Sequence, residues 1–302
     1  MSREQKRNLP ASVRSRLLQV SKDRHLPFDL ILSRYAIERL LYRLSQSPHA
    51  PQFLLKGAML FAVWTEATFR PTRDVDFLCF GPSDTASIER IFRELCSLEV
   101  EPDGLIFLPD TVQVRPIRED QHYGGVRVEL EALLDRAKID IQADIGFGDS
   151  VTPGPEEIEF PTLLPNFPAP RLRAYPTYTV VAEKLEAMAS LGQGNSRMKD
   201  FYDVWFLASR FDFEGSSLAE AIRRTFERRQ TPLDFPDNIL ASTFADAKTA
   251  EWRAFVSRNA LACPPFDALL ALVRGFVEPP FRGAAEGKAF AARWRSAATA
   301  WE

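Results

Sequence analysis

The sequence predicts an α+β protein, in which a mixed core of strands and helices passes into a helical C-terminal part. Three observations carry that reading. Apolar residues at helical spacing dominate residues 9 to 50. Strand-like runs and one amphipathic helix fill residues 73 to 146, and helical patterns return after residue 177. These place an N-terminal helical segment at 1–52, a core at 53–176 and a helical C-terminal region at 177–302.

In chain order, "LPFDLILSRYAIERLLYRLSQS" carries Ile31, Tyr35, Leu40, Leu41 and Leu44 at helical spacing. "FLLKGAMLFAVW", residues 53 to 64, reads as a buried continuation of that helix. A strand is expected over 73–80 and a helix over 86–97. Further strands are expected over 104–108, 111–118, 124–131 and 136–146, with Gly124 and Gly125 marking a turn. Residues 151 to 176 hold seven prolines and read as a wrapped connector, neither helix nor strand.

Of the 302 residues, 45% are hydrophobic and 26% charged, ordinary values for a globular chain. No apolar run approaches the roughly 20 residues of a membrane span, and the polar start "MSREQKRNLP" leads into no signal-peptide core. Cys79, Cys96 and Cys263 are few and scattered, as expected of reduced thiols in a cytoplasmic protein. His25, His49 and His122 offer no zinc pattern. A net charge of −3 argues against a protein that coats nucleic acid, while leaving room for a local basic cleft.

The chemistry concentrates in "FRPTRDVDFLCF", residues 69 to 80. Alternation puts Asp74 and Asp76 on one strand face and Val75, Phe77 and Cys79 on the other. Two like charges so close call for a cation, and hard carboxylate oxygens suit magnesium or manganese. Arg70, Thr72 and Arg73 lie just upstream as donors for phosphate oxygens. Gly57, in "LLKGAML", permits a turn that brings backbone N–H groups near a phosphate. In "AKIDIQADIGFGD", Asp140 and Asp144 share a strand face, about 13 Å apart. Only one can join the same metal cluster, and the glycines after Asp144 favour it.

In "TYTVVAEKLEAMASLG", Lys184 falls inside the apolar stripe of Val180, Val181, Leu185, Met188 and Leu191. It either snorkels to solvent or reaches an anion, a carboxylate or a nucleotide phosphate. The next helix, "SRMKDFYDVWFLASR", places Asp200 at the edge of its apolar stripe. Asp203 is expected to be more exposed and to pair with Lys199. Arg197 heads the same helix and is either a cleft residue or solvated. Arg223, Arg224, Arg228 and Arg229 form a basic cluster, read as a solvated helix face before a grip on RNA backbone.

The segments "RYAIERLLYRLSQS", "LLKGAMLF", "RPTRDVDF", "DIGFGDSVTPGP", "AEKLEAM" and "NSRMKDFYDVW" together resemble the AbiEii/AbiGii-type toxins. Those are nucleotidyltransferase-like members of type IV toxin–antitoxin and abortive-infection systems. The resemblance implies a DNA-polymerase-β-like nucleotidyltransferase core with added helices, a bacterial origin and a cognate antitoxin encoded nearby. Carried over by residue, it implies roles for Gly57, the pair Asp74 and Asp76, Lys184 and Asp200. The family's residue after the glycine is serine or glycine, whereas this chain has Ala58. The expected reaction is Mg²⁺-dependent transfer from an NTP to an acceptor such as the tRNA 3′ end, or to a protein hydroxyl. Asp74, Asp76 and Asp144 would hold metal, with Asp144 helping to activate the attacking hydroxyl directly or through the second metal. Lys184 would stabilise phosphate charge, and Asp200 would orient Lys184 or the acceptor. Arg73, Arg197 and Lys199 would contribute lesser phosphate contacts. The competing expectations are an NTP- or RNA-binding module without chemistry, and a kinase of the same fold.

Overall fold

A computed structural model describes residues 8–65, 72–117 and 124–302; Arg70 and His122 therefore lie outside the described residues. The described chain forms two compact units. The first runs to Gly148 and takes back Glu156–Ala174; the second comprises Asp149–Pro155 and Tyr175–Glu302.

The first unit opens with α1, Leu9–Asp23, and α2, Phe28–Gln46. Asn8 caps α1 by accepting from the Ala11 N–H at 3.3 Å, with a proline in the first turn. Among the described residues, seven strands then build one mixed sheet. They are β1 Phe53–Lys56, β2 Asp74–Cys79, β3 Leu105–Ile117, β4 Gly125–Leu134, β5 Ala137–Phe147, β6 Glu156–Glu159 and β7 Arg171–Ala174, in the order β3-β4-β5-β2-β1-β7-β6. The β2–β5 and β1–β7 pairs are parallel and the others antiparallel. Helix α4, Thr85–Ser97, capped by Asp84, packs against β3, and α2 packs against β5 and β7.

Three expectations change here. Residues 53 to 64 are not one helix: β1 is followed by a 3₁₀ turn, Gly57–Leu60, and the short α3, Phe61–Trp64. A short apolar run carries no period of its own, and here pairing with β2 and β7 decides it as a strand. Gly57, at φ +72°, ends the strand. The proline-rich connector holds a hairpin, β6 with β7, because its prolines flank these strands and leave their N–H groups free to pair. The strands expected at 104–108 and 111–118 are one strand, with a register shift between Leu108 and Gln113.

The proline-rich stretch wraps α2 by polar contacts. Glu38, 1% exposed, accepts from the Leu163 N–H at 2.6 Å and lies 2.9 Å from the Arg39 guanidinium. Arg39 donates to the Pro168 carbonyl at 2.8 Å, and Arg43 donates to Asp103 at 2.7 Å. Glu38, Arg39 and Arg43 lie in the buried stretch of α2 and need this network, because they have no water to turn to.

The second unit is mainly helical: α5 Thr177–Leu191, α6 Met198–Arg210, α7 Gly215–Arg229, α8 Ser242–Ala247, α9 Thr249–Arg258 and α10 Phe266–Glu286. A small antiparallel sheet joins β8 Phe213–Glu214, β9 Arg293–Arg295 and β10 Ala300–Trp301. Aromatic rings fill its core, with Trp252 stacked on Phe266 at 4.7 Å between centroids and Trp294 against Phe276 at 5.0 Å. No helix among the described residues is long and apolar enough to cross a membrane.

Burial pushes the Glu38 carboxyl up to about 7, with Arg39 and the Leu163 N–H pulling the other way. An acid raised by folding binds more protons in the folded than in the unfolded chain. Its stabilising contribution is complete at low pH and is lost as pH rises through about 7. Denaturant unfolding between about pH 5 and about pH 8 should therefore show a loss of stability on the order of 2–3 kcal/mol that Glu38→Gln abolishes.

Candidate active site

The polar face of the first unit's sheet follows from strand alternation. In β2, Val75 and Phe77 are buried, while Asp74 is exposed and Asp76 half-buried. Parallel register sets Asp74 beside Gln142 and Asp76 beside Asp144, one strand spacing away, ~4.8 Å. On the other side of β2, Lys56 stands opposite Asp76. Across β5, Arg127 stands opposite Asp144, Glu129 opposite Gln142 and Glu131 opposite Asp140. One row across the sheet thus reads Lys56, Asp76, Asp144, Arg127.

Gly57 follows Lys56 and folds directly over this row. A Cβ added at Gly57 would stand inside the Asp76 side chain, 2.7 Å from its Cγ. Only glycine meets both demands, the left-handed backbone and the close approach. Ala58 follows in the same 3₁₀ turn, Gly57–Leu60.

The other proposed phosphate donors are placed as follows. Thr72 donates its hydroxyl to the Asp74 carbonyl at 3.3 Å, and exposed Arg73 pairs with Asp29 on α2. The ion pair draws the Asp29 carboxyl below its usual range. Asp144 is held by a residue that the sequence reading passed over. Arg127 donates from Nε and Nη2 to the two Asp144 oxygens, both at 2.8 Å. That hydrogen-bonded fork raises the arginine's own pKa, which keeps it charged. Among the described residues, no three His, Cys, Asp or Glu side chains converge as a ready metal cage. Asp140 lines a cleft of about 600 Å³ together with Asp29, Arg73, Asp74, Glu129, Glu131 and Lys138, so that cleft reaches the polar face at Asp74.

In the second unit Lys184 is 14% exposed, and its ammonium lies 2.9 Å from Asp200 and 2.6 Å from Asp203. Burial pushes the Asp200 carboxyl up, but Lys184 and Arg197 outweigh it and hold it below the usual carboxylate range. Arg197 sits 2.7 Å from the second Asp200 oxygen, so it is engaged and only half-solvated, and Lys199 is exposed. Asp203 was expected to be exposed, but it is fully buried. Helix α6 packs on α5, α9 and α10, so it has no broad solvent face for Asp203 to occupy. In the basic cluster on α7, Arg224 and Arg228 are exposed, as a solvated face requires, and Arg229 departs from that expectation. Arg229 is half-buried, 2.8 Å from Glu186, 3.2 Å from Glu183 and 3.4 Å from Asp149. Arg223 and Arg224 are paired with Glu220, and Arg223 also with Glu227.

Alternation in "GVRVELEALL" carried the signal for Arg127, since it puts Arg127, Glu129 and Glu131 on one face. The pairing partner came only with the register. Gly57→Ala should cost about 1–3 kcal/mol in backbone strain and displace Asp76. A fall in kcat far larger than the drop in melting temperature accounts for is the expected result. Replacing Lys184 by methionine leaves Asp203 buried without its ammonium; unfolding in urea should show a loss of about 3–5 kcal/mol, partly restored by adding Asp203→Asn.

The model of the nucleotidyl transferase AbiEii toxin family, type IV toxin–antitoxin system, matches residues 39–272. The crystal structure of JHP933 from Helicobacter pylori shares the fold, with TM-score 0.50, 14% identity, and 85% of this chain and 94% of that one covered. A second H. pylori crystal structure, provisionally named a nucleotidyltransferase, aligns at TM-score 0.46 and 13% identity over 88% of this chain and all of that one. No curated protein matches this chain. With more than half of its length matched by the family model, this chain is a nucleotidyltransferase belonging to the AbiEii toxin family of type IV toxin–antitoxin systems.

Proposed function

We propose that the polar sheet face of the first unit is a DNA-polymerase-β-like catalytic surface. It takes an NTP with magnesium, or manganese, and passes the nucleotidyl group to an acceptor hydroxyl, with the tRNA 3′ end as the favoured acceptor and a protein hydroxyl as the other. The observation that carries the proposal is the juxtaposition of Asp74, Asp76 and Asp144 on one face of neighbouring strands, with the Gly57 turn packed on Asp76. Hard oxygen donors on one face fit a divalent ion, and the glycine cradle fits a phosphate beside it.

Asp74 and Asp76 would hold the metal, and Asp144 would complete the set. A bound divalent ion supplies neutralisation of charge on the triphosphate and on the attacking oxygen. Asp144 accepts the acceptor's proton on a carboxylate oxygen as that hydroxyl oxygen bonds to the α-phosphorus. The bond from the α-phosphorus to the bridging oxygen breaks, and pyrophosphate leaves. Gly57 lets a phosphate oxygen approach backbone N–H groups, and Thr72 and Arg73 add donors at the strand entrance. In the second unit, Asp200 and Asp203 fix the Lys184 ammonium. By resemblance to the family, Lys184 would stabilise phosphate charge, with Arg197 and Lys199 as lesser contributors. The family implies an antitoxin partner.

A second reading has one observation in its favour: Arg127 engages both Asp144 oxygens, as in a site that binds NTP or RNA without chemistry. Incubation with each α-³²P-labelled NTP, Mg²⁺ and total RNA separates the readings. The proposal expects labelled RNA with stoichiometric pyrophosphate, reduced on the order of 10³-fold by Asp74→Ala. NTP binding without pyrophosphate release supports the binding module, and release of a nucleoside diphosphate supports a kinase.

A further inference from the structure

We propose that Arg127 is a placeholder for the charge that the substrate brings: it clamps Asp144 until a divalent ion and a triphosphate arrive, and then passes to a phosphate oxygen. This rests on the reading of Asp74, Asp76 and Asp144 as the metal-binding carboxylates.

The geometry supplies the argument. Nε and Nη2 of Arg127 each lie 2.8 Å from a different Asp144 oxygen, so the fork occupies both. With the Gln142 amide oriented oxygen-first to satisfy its neighbours, that oxygen accepts from Arg127 Nε at 3.2 Å and from Nη2 at 3.1 Å. Asp74 and Glu129 add their attraction from the neighbouring row. The guanidinium is therefore held over the polar face, one strand beyond Asp76, with Asp144 turned toward it.

This pair does not serve the core. Arg127 is 34% and Asp144 23% exposed, and both stand on the face opposite buried Val126, Val128, Ala143 and Ile145. Ion pairs at such exposure contribute little to stability. Electrostatics gives the pair another use. Three carboxylates on adjacent strands repel one another, and Arg127 offsets that repulsion while no divalent ion is bound. A divalent ion at Asp74 and Asp76 attracts Asp144 and repels the guanidinium. A triphosphate brought with the ion offers that guanidinium bidentate phosphate oxygens in exchange. Metal and nucleotide then bind with positive coupling, since each removes a reason for the clamp to persist. Arg127 is a positioning residue for Asp144 before the exchange and a phosphate contact after it.

The test is Mn²⁺ titration without nucleotide, read by the electron paramagnetic resonance signal of the free ion, together with NTP steady-state kinetics. Arg127→Ala is expected to tighten Mn²⁺ binding about 10-fold, and adding Asp144→Asn is expected to erase that gain. The same variant should raise KM for NTP about 10-fold with a smaller change in kcat. Should Arg127→Ala melt early, Arg127→Gln, which keeps a hydrogen bond without the charge, is read in its place. Equal Mn²⁺ affinity in wild type and variant, with Asp76→Asn weakening both, overturns the placeholder and leaves the carboxylate site standing. Mn²⁺ binding that is indifferent to Asp76→Asn overturns both.

Discussion

A one-residue slip of β2 against β5 would turn Asp74 and Asp76 into the apolar layer and Val75 and Phe77 out of it. The register prevents that slip, because Val75, Phe77, Ala143 and Ile145 are buried at 1% exposure or less. Burial of one face thus fixes which carboxylates meet on the other. The same register sets Lys56 and Arg127 at the ends of the row and brings the Gly57 turn onto Asp76. The chemistry of the site is in this sense a by-product of apolar packing, and small changes in the buried layer should be felt in the polar one.

The two units manage buried charge in different ways. On the sheet face, carboxylates are half-exposed and offset by partners that a metal and a phosphate can replace. In the second unit, Asp200 and Asp203 are fully buried against Lys184, and Glu186 is buried against Arg229. Removing one partner there strands a charge, so those residues carry structural weight besides any part in transfer. Activity lost in a Lys184 variant therefore has to be weighed against the stability lost with it.

Much of this was legible in the sequence. The alternation of "RDVDFLCF" and "KIDIQADIGF" identified the polar face, and Lys184 in an apolar stripe pointed to a buried anion. The anions proved to be Asp200 and Asp203 together. What stayed hidden depends on neighbours distant in sequence. Residues 53–56 are a strand only because β2 and β7 lie on either side. Asp203 is buried, and Arg229 half-buried, because helices pack on faces that a single-stripe reading leaves to solvent. The role of Arg127 needed the register of β4, which no spacing within β4 itself specifies.

The account stands on Asp74 and Asp76 sharing one divalent ion that carries a triphosphate. A crystal structure grown with Mn²⁺ and an NTP analogue uncleavable between the α- and β-phosphates tests this directly, through the anomalous signal of manganese. The account predicts a peak within bonding distance of both the Asp74 and Asp76 carboxylates and of the triphosphate. A nucleotide bound in the crystal with its manganese away from both aspartates would contradict it.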